Sequence, residues 1–200
     1  MLPKPDILIF SGSIRAGSRN ALLAEAVAKA VSERGGKANL VSLRDYPMPI
    51  YDGDLEQQTG APAAAVEFAR LMTRHDGIII LSPEYNASIP PLLKNTLDWV
   101  SRVKAEEGEL LSPFKKPVFA LGGASPGALG TLRNLAAMRL MLEMGFGALV
   151  IPEQLGVPQS GSAFDEEGRL IAERPLGMME RLVSSLVSKA TVMREAGGNG

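Results

Sequence analysis

The chain contains no cysteine. This absence excludes disulfides, thiolate nucleophiles, cysteine-ligated iron–sulfur clusters and zinc–thiolate sites. It has a single histidine, His75, with no second histidine or neighbouring base to support catalysis or metal binding. We therefore interpret His75 as a structural residue and predict no metal in the functional site.

An excess of charge of either sign is also missing, since 21 basic and 22 acidic residues leave a net charge of −1. Nothing in this balance suggests a nucleic acid or a strongly charged protein as partner. The apolar run near the N-terminus has four residues, far fewer than the roughly 20 that a membrane span needs. We expect a cytoplasmic protein that does not bind membranes.

Short apolar runs alternate with segments of helical periodicity along a chain that is 46% hydrophobic and 22% charged. The runs cover residues 7–10, 40–43, 78–81, 118–121 and 148–151. Continuously apolar short strands between helices imply a parallel sheet that is covered on both faces. We predict one domain over residues 1–200, an α/β flavodoxin-like three-layer sandwich whose five-stranded parallel sheet has the order 2-1-3-4-5. Residues 44–61 and 152–174 are longer than ordinary connections and are interpreted as functional or interfacial loops.

The segment after the third run carries the strongest signal for a ligand. A carboxylate, a phenol, an amide and a hydroxyl follow one another at the end of a buried strand, where α/β proteins bind ligands. They belong to Pro83, Glu84, Tyr85, Asn86 and Ser88. This mixture suits a flat heteroaromatic ring with polar edges.

The segment after the first run suits a phosphate, because it leads into a helix whose N-terminus offers free N–H groups and a partial positive charge. The candidate binding residues are Ser11, Ser13, Arg15, Ser18 and Asn20. The segment lacks the lysine of a P-loop and the Gly-x-Gly-x-x-Gly spacing of a dinucleotide fingerprint. Taken alone, it also fits a serine- and glycine-rich turn that caps a helix.

The segment after the fourth run is rich in glycine. Gly122 and Gly123 would let the main chain approach a ring edge closely, and Ser125 is a candidate donor. A simple strand-to-helix turn explains the same pattern. Convergence favours a binding site, because all three segments follow strands that meet at the switch point of the predicted sheet.

Two of these motifs resemble those of the NAD(P)H-dependent FMN reductase family, which includes quinone, azo-dye and chromate reductases. The first motif is Gly12-Ser13-x-Arg15-x-x-Ser18-x-Asn20, and the second is Pro83-Glu84-Tyr85-Asn86-x-Ser88-Ile89-Pro90, followed by Leu93-Lys94-Asn95 and Asp98-Trp99. In the second motif Pro91 stands where family members commonly carry glycine, a departure that bears on ring-edge access or on the choice of substrate.

The resemblance implies an oxidoreductase with noncovalently bound FMN and NAD(P)H as co-substrate. Hydride would pass to small-molecule acceptors such as quinones and azo compounds by a ping-pong mechanism, in a homodimer or homotetramer. We name no catalytic side chain, because hydride chemistry belongs to the cofactor. Arg15, Arg19 and Arg102 are candidates for contacting an NADPH 2′-phosphate.

Two other functions fit the same fold. A flavodoxin-type electron-transfer protein would bind FMN without its own NAD(P)H activity, although such carriers need a charged docking face that the net charge does not indicate. A binding module that takes no flavin is the second alternative, because fold does not fix function.

Overall fold

The sheet has five parallel strands in the order β2-β1-β3-β4-β5, which confirms the predicted topology. The computed structural model describes residues 4–106 and 109–197. The strands are β1 (Asp6–Ser11), β2 (Lys37–Ser42), β3 (Gly77–Leu81), β4 (Val118–Ala124) and β5 (Leu149–Val157).

Helices connect these strands and follow the last one. They are α1 (Arg19–Glu33), α2 (Gly53–Thr59), α3 (Ala63–Arg74), α4 (Pro91–Arg102), α5 (Leu132–Leu140) and α6 (Glu173–Gly197). A 3₁₀ turn at Leu43–Asp45 follows β2, a π-helical turn at Met141–Gly145 continues α5, and two short antiparallel strands, Ala105–Glu106 and Glu109–Leu110, follow α4. None of the helices in the described part of the chain is long and apolar enough to span a bilayer.

Successive side chains of each strand point to opposite faces, which divides the core into two layers. Leu8 and Phe10 of β1 pack with α3, α4 and α5 on one face, whereas Ile7 and Ile9 pack with α1 and α6 on the other. All four side chains are fully buried. These two layers around a central sheet confirm the predicted three-layer sandwich.

Three local expectations were wrong at element boundaries. Residues 44–61, expected to form a loop, contain a 3₁₀ turn and α2, which buries none of its residues and so has no apolar periodicity to detect. Strand β4 runs on through Gly122 and Gly123 to Ala124. Strand β5 continues past Pro152, with Phe119 paired to Val150 and Leu121 paired to Gln154, so β5 accommodates the proline in a bulge at the sheet edge.

Candidate functional site

A cleft of ≈ 170 Å³ opens at the carboxyl ends of β1, β3 and β4. It brings together residues from all three segments that were predicted to bind a ligand. The predicted residues that line it are Ser13, Arg15, Ser18, Asn20, Pro83, Glu84, Tyr85 and Ser125. The strand order explains this convergence, because β3 lies between β1 and β4.

Four further residues line the cleft without having been predicted as cofactor contacts: Arg19, Ala124, Pro126 and Ser160. Ser160 is buried, and its N–H donates to the carbonyl of Ser125 at 3.0 Å. It belongs to the long segment after β5, which carries no recognisable motif, so only its position after the neighbouring strand could have indicated it.

The remaining predicted residues, Ser11, Asn86, Ser88, Gly122 and Gly123, do not line this cleft. The hydroxyl of Ser11 accepts a hydrogen bond from the Ser13 N–H at 3.1 Å, which shapes the first loop from behind. At Gly123 a Cβ would lie 2.1 Å from the Ser82 carbonyl oxygen and 2.7 Å from Thr131 Oγ1. Close packing therefore explains why position 123 is a glycine. The assignment of all five residues as cofactor contacts stays a prediction.

The first loop presents donors at the N-terminus of α1. Its backbone is tied to β3 by the Gly12 N–H, which donates to the Leu81 carbonyl at 2.8 Å, and it turns at Gly17 with φ of +66°. Ser18 is the N-cap, yet its side chain makes no capping hydrogen bond, and the first turn of α1 contains no acidic residue. Together with exposed Arg15, this donor set fits an anionic group such as a phosphate.

Asn20 makes a structural contact that its motif does not suggest. Its side-chain amide donates to the Ala124 carbonyl at 3.0 Å, and its Oδ1 accepts from the Ala124 N–H at 2.8 Å. Asn20 is 3% exposed, so this pair of buried bonds fixes α1 against the end of β4. The residue thus holds two walls of the cleft together.

The third-strand loop folds into a tight turn over Tyr85, Asn86, Ala87 and Ser88. The N–H of Tyr85 donates to Ser88 at 3.1 Å, and the N–H of Ser88 donates back at 2.9 Å. Asn86 and Ala87 have φ of 51° and 65°, a left-handed conformation that costs a residue with a Cβ roughly 1–2 kcal/mol. The turn leaves the Tyr85 ring half-exposed at the edge of the cleft.

Glu84 is fixed from behind by the start of α5. Its carboxylate, 7% exposed, accepts hydrogen bonds from the Arg133 guanidinium, with Nε at 2.7 Å, and from the Asn134 N–H at 3.3 Å. The Asn134 side chain donates to the Pro83 carbonyl at 3.0 Å. These contacts give the ligand-facing loop a defined position, and nothing in the sequence pattern had pointed to α5 as its support.

Arg102 does not lie in the cleft. Its Nε contacts both Glu56 carboxylate oxygens, at 2.8 and 3.0 Å, and Tyr51 donates to the same carboxylate at 2.8 Å. The pKa of Glu56 is lowered, mainly by the hydrogen bond from Arg102 and next by the one from Tyr51. The pKa of Tyr51 is raised, mainly by the hydrogen bond that its hydroxyl donates to Glu56. Arg102 is thus engaged in joining α2 to α4, which leaves Arg15 and Arg19 as cleft-lining arginines.

The topology and the cleft define a flavodoxin-like α/β protein whose ligand site lies at the switch point of the sheet. The chain belongs to the NADPH-dependent FMN reductase family, which its residues 5–162 match. This membership confirms the predicted oxidoreductase class, with FMN as cofactor and NAD(P)H as co-substrate.

Individual relatives agree with this placement. A quinone reductase of Escherichia coli (strain K12) is 31% identical over 175 residues, which cover 83% of this chain and 88% of that protein. The NAD(P)H-dependent FMN reductase PA1204 of Pseudomonas aeruginosa is 31% identical over 182 residues, covering 90% of this chain and 92% of that protein. Among solved structures, the flavoenzyme NAD(P)H:(acceptor) oxidoreductase FerB of Paracoccus denitrificans shares the fold, with a TM-score of 0.75 at 22% identity over 94% of this chain and 98% of that chain.

Proposed function

We propose that this enzyme uses NAD(P)H to reduce quinones, azo compounds or similar flat acceptors by a ping-pong mechanism. The proposal rests on one cleft in which the N-terminus of α1, with Ser18 and Arg15, meets the polar loop that carries Glu84 and Tyr85. The acceptor class is supported by the names of the relatives, which include quinone reductases.

The residues divide into two binding groups. Ser13, Arg15 and Ser18 would hold the FMN phosphate at the N-terminus of α1, and the loop from Pro83 to Ser88 would border the ring. Bound FMN supplies the redox chemistry by accepting hydride from NAD(P)H and passing it to the acceptor. The protein contributes orientation, through the Glu84–Arg133 contact behind the loop and the Asn20–Ala124 contact behind the phosphate site.

Steady-state kinetics test the ping-pong scheme directly. Both substrates must use the same cleft in turn, so initial rates against a quinone at several fixed NAD(P)H concentrations should give parallel double-reciprocal lines. Intersecting lines would demonstrate a ternary complex and contradict the shared cleft.

An anaerobic titration separates the enzyme from a flavodoxin-type carrier. FMN-loaded protein mixed with NADPH or NADH alone should lose its yellow colour, because the enzyme needs no protein partner for its own reduction. Protein that stays yellow with NAD(P)H but is bleached by dithionite would be an electron carrier.

We also propose that the enzyme works in the cytoplasm as a homodimer or homotetramer. Three large apolar side chains that are exposed on α5 and on the turn that continues it, Leu132, Leu140 and Met144, support the assembly. Sedimentation of the FMN-loaded protein at micromolar concentration should give two or four times the chain mass of 21.2 kDa.

A further inference from the structure

The outer surface of α5 carries an unpartnered apolar stripe. Leu132, Ala136, Leu140 and Met144 recur at every fourth residue, and all four are exposed. The exposed fractions of the three large side chains are 56%, 64% and 79%. The opposite side of the same helix buries Leu135, Met138 and Leu142 in the core, so the stripe plays no part in the fold of the single chain.

The π-helical turn keeps the stripe straight at its end. A four-residue spacing advances slightly more than one α-helical turn, so such a row drifts around the helix. The turn at Met141–Gly145, closed by the Phe146 N–H to the Met141 carbonyl at 3.1 Å, is wider and reduces this drift at Met144.

We propose that this stripe is the contact surface between two copies of the chain, with the two α5 helices antiparallel across a twofold axis. The inference specifies a face for the homo-oligomer and rests on that part of the proposed function. A twofold contact requires a self-complementary surface. The stripe meets this requirement, because Met138 lies halfway along the chain between Leu132 and Met144 and also halfway between Ala136 and Leu140. A twofold axis at the level of Met138 therefore places the two members of each pair opposite each other.

In this register, small residues meet large ones. Ala136 of one copy lies opposite Leu140 of the other, so the short side chain leaves room for the long one. Met144 comes opposite Leu132, which borders a cavity of ≈ 360 Å³ next to the start of α5. That cavity is lined mostly by apolar side chains, among them Leu129, Leu135 and Met178, and can receive the protruding methionine.

Charge follows the same register. Arg133 of one copy comes opposite Glu143 of the other, again symmetrically about Met138. The side chain of Arg133 is 56% exposed while it contacts Glu84, and that of Glu143 is 38% exposed while it contacts Arg139 at 2.6 Å. Opposite charges at both ends of the stripe favour the antiparallel arrangement over a parallel one, in which Arg133 would face Arg133.

The absence of cysteine gives this register a clean test. Two differently tagged chains would be co-expressed, one with Ala136→Cys and the other with Leu140→Cys. The purified, FMN-loaded protein would then be mildly oxidised. A disulfide between the two chains is expected, since the opposed Cβ atoms of a disulfide lie only about 3.5–4.5 Å apart. The matched control combines Ala136→Cys with Leu132→Cys, which the register keeps apart, and should remain uncross-linked.

A charge variant tests the same face in a different way. Leu140→Glu with Met144→Glu should weaken self-association by roughly a hundredfold in sedimentation experiments, because apolar contacts are lost from both copies. Val192→Glu, at an equally exposed apolar position on α6, should leave the assembly unchanged.

Three results would overturn the proposal: a monomeric parent protein, an unchanged assembly in the double glutamate variant, or cross-linking of Ala136→Cys chains to each other. None of these measurements requires turnover. A failed interface therefore leaves the oxidoreductase activity standing, and a failed NAD(P)H assay leaves the interface test valid.

Discussion

The back of the cleft is made of fixed, buried contacts, whereas its front is made of exposed loops. Behind it, Asn20 is bonded twice to Ala124, and Gly123 lies directly against the Ser82 carbonyl. In front, Arg15 is exposed, and the turn that begins at Tyr85 projects into solvent. The difference teaches that residues of one sequence motif can have different surroundings. We therefore expect stability to depend on the back wall and ligand binding to depend on the front.

The largest effect is expected at the back wall with Gly123→Ala. The new Cβ would meet backbone and a buried hydroxyl that cannot move aside, so unfolding free energy should fall by about 3 kcal/mol. Urea denaturation measures this. Gly127→Ala is the matched control, since its Cβ would have only Ser125 Oγ nearby, at 3.6 Å, and should change stability by less than about 0.5 kcal/mol.

Asn20→Ala should come next, with a loss of about 2–3 kcal/mol in unfolding free energy. The substitution leaves the buried N–H and carbonyl of Ala124 without their partner. Ser32→Ala in the same helix removes only an exposed hydroxyl and serves as the control. If Asn20→Ala kept full stability while losing FMN, Asn20 would belong to the front wall and the comparison would fail there.

Arg15→Ala should produce the opposite pattern, with binding weakened and stability kept. Loss of a charge-assisted contact to phosphate costs on the order of 1.5–3 kcal/mol, which is roughly ten- to a hundredfold in affinity. Fluorescence titration of apo-protein with FMN provides the value, with Arg34→Ala, at the opposite end of α1, as a control. An unchanged affinity would place the phosphate elsewhere.

The smallest effect is expected in the exposed turn, where Ala87→Gly should stabilise the protein by about 0.5–1 kcal/mol. Glycine adopts the left-handed conformation without the Cβ penalty, although part of that gain is offset by its greater freedom in the unfolded chain. Thermal unfolding of the apo-protein would reveal the gain. A lower melting temperature would mean that the Ala87 methyl group makes contacts that outweigh the strain.

Prediction from sequence succeeded where buried strands produce apolar runs. The five runs and their alternation with helices sufficed for the architecture, because the three central strands β1, β3 and β4 are buried on both faces. Prediction failed where an element lacks that signal: α2 buries nothing, β4 contains two glycines, and β5 contains Pro152. At the site, eight of the thirteen residues predicted from the motifs line the cleft. The positions of Arg133, Asn134 and Ser160 depend on the fold, and no motif indicated them.

The bulge at Pro152 has a consequence for how molecules of this protein meet at high concentration. Strand β5 is an outer strand of the sheet, and a regular outer strand offers unpaired N–H and carbonyl groups to any neighbouring chain. The proline removes one donor, and the irregular register bends the strand at that point. Uncontrolled growth of the sheet from molecule to molecule, the first step towards aggregation, is thereby discouraged at this edge.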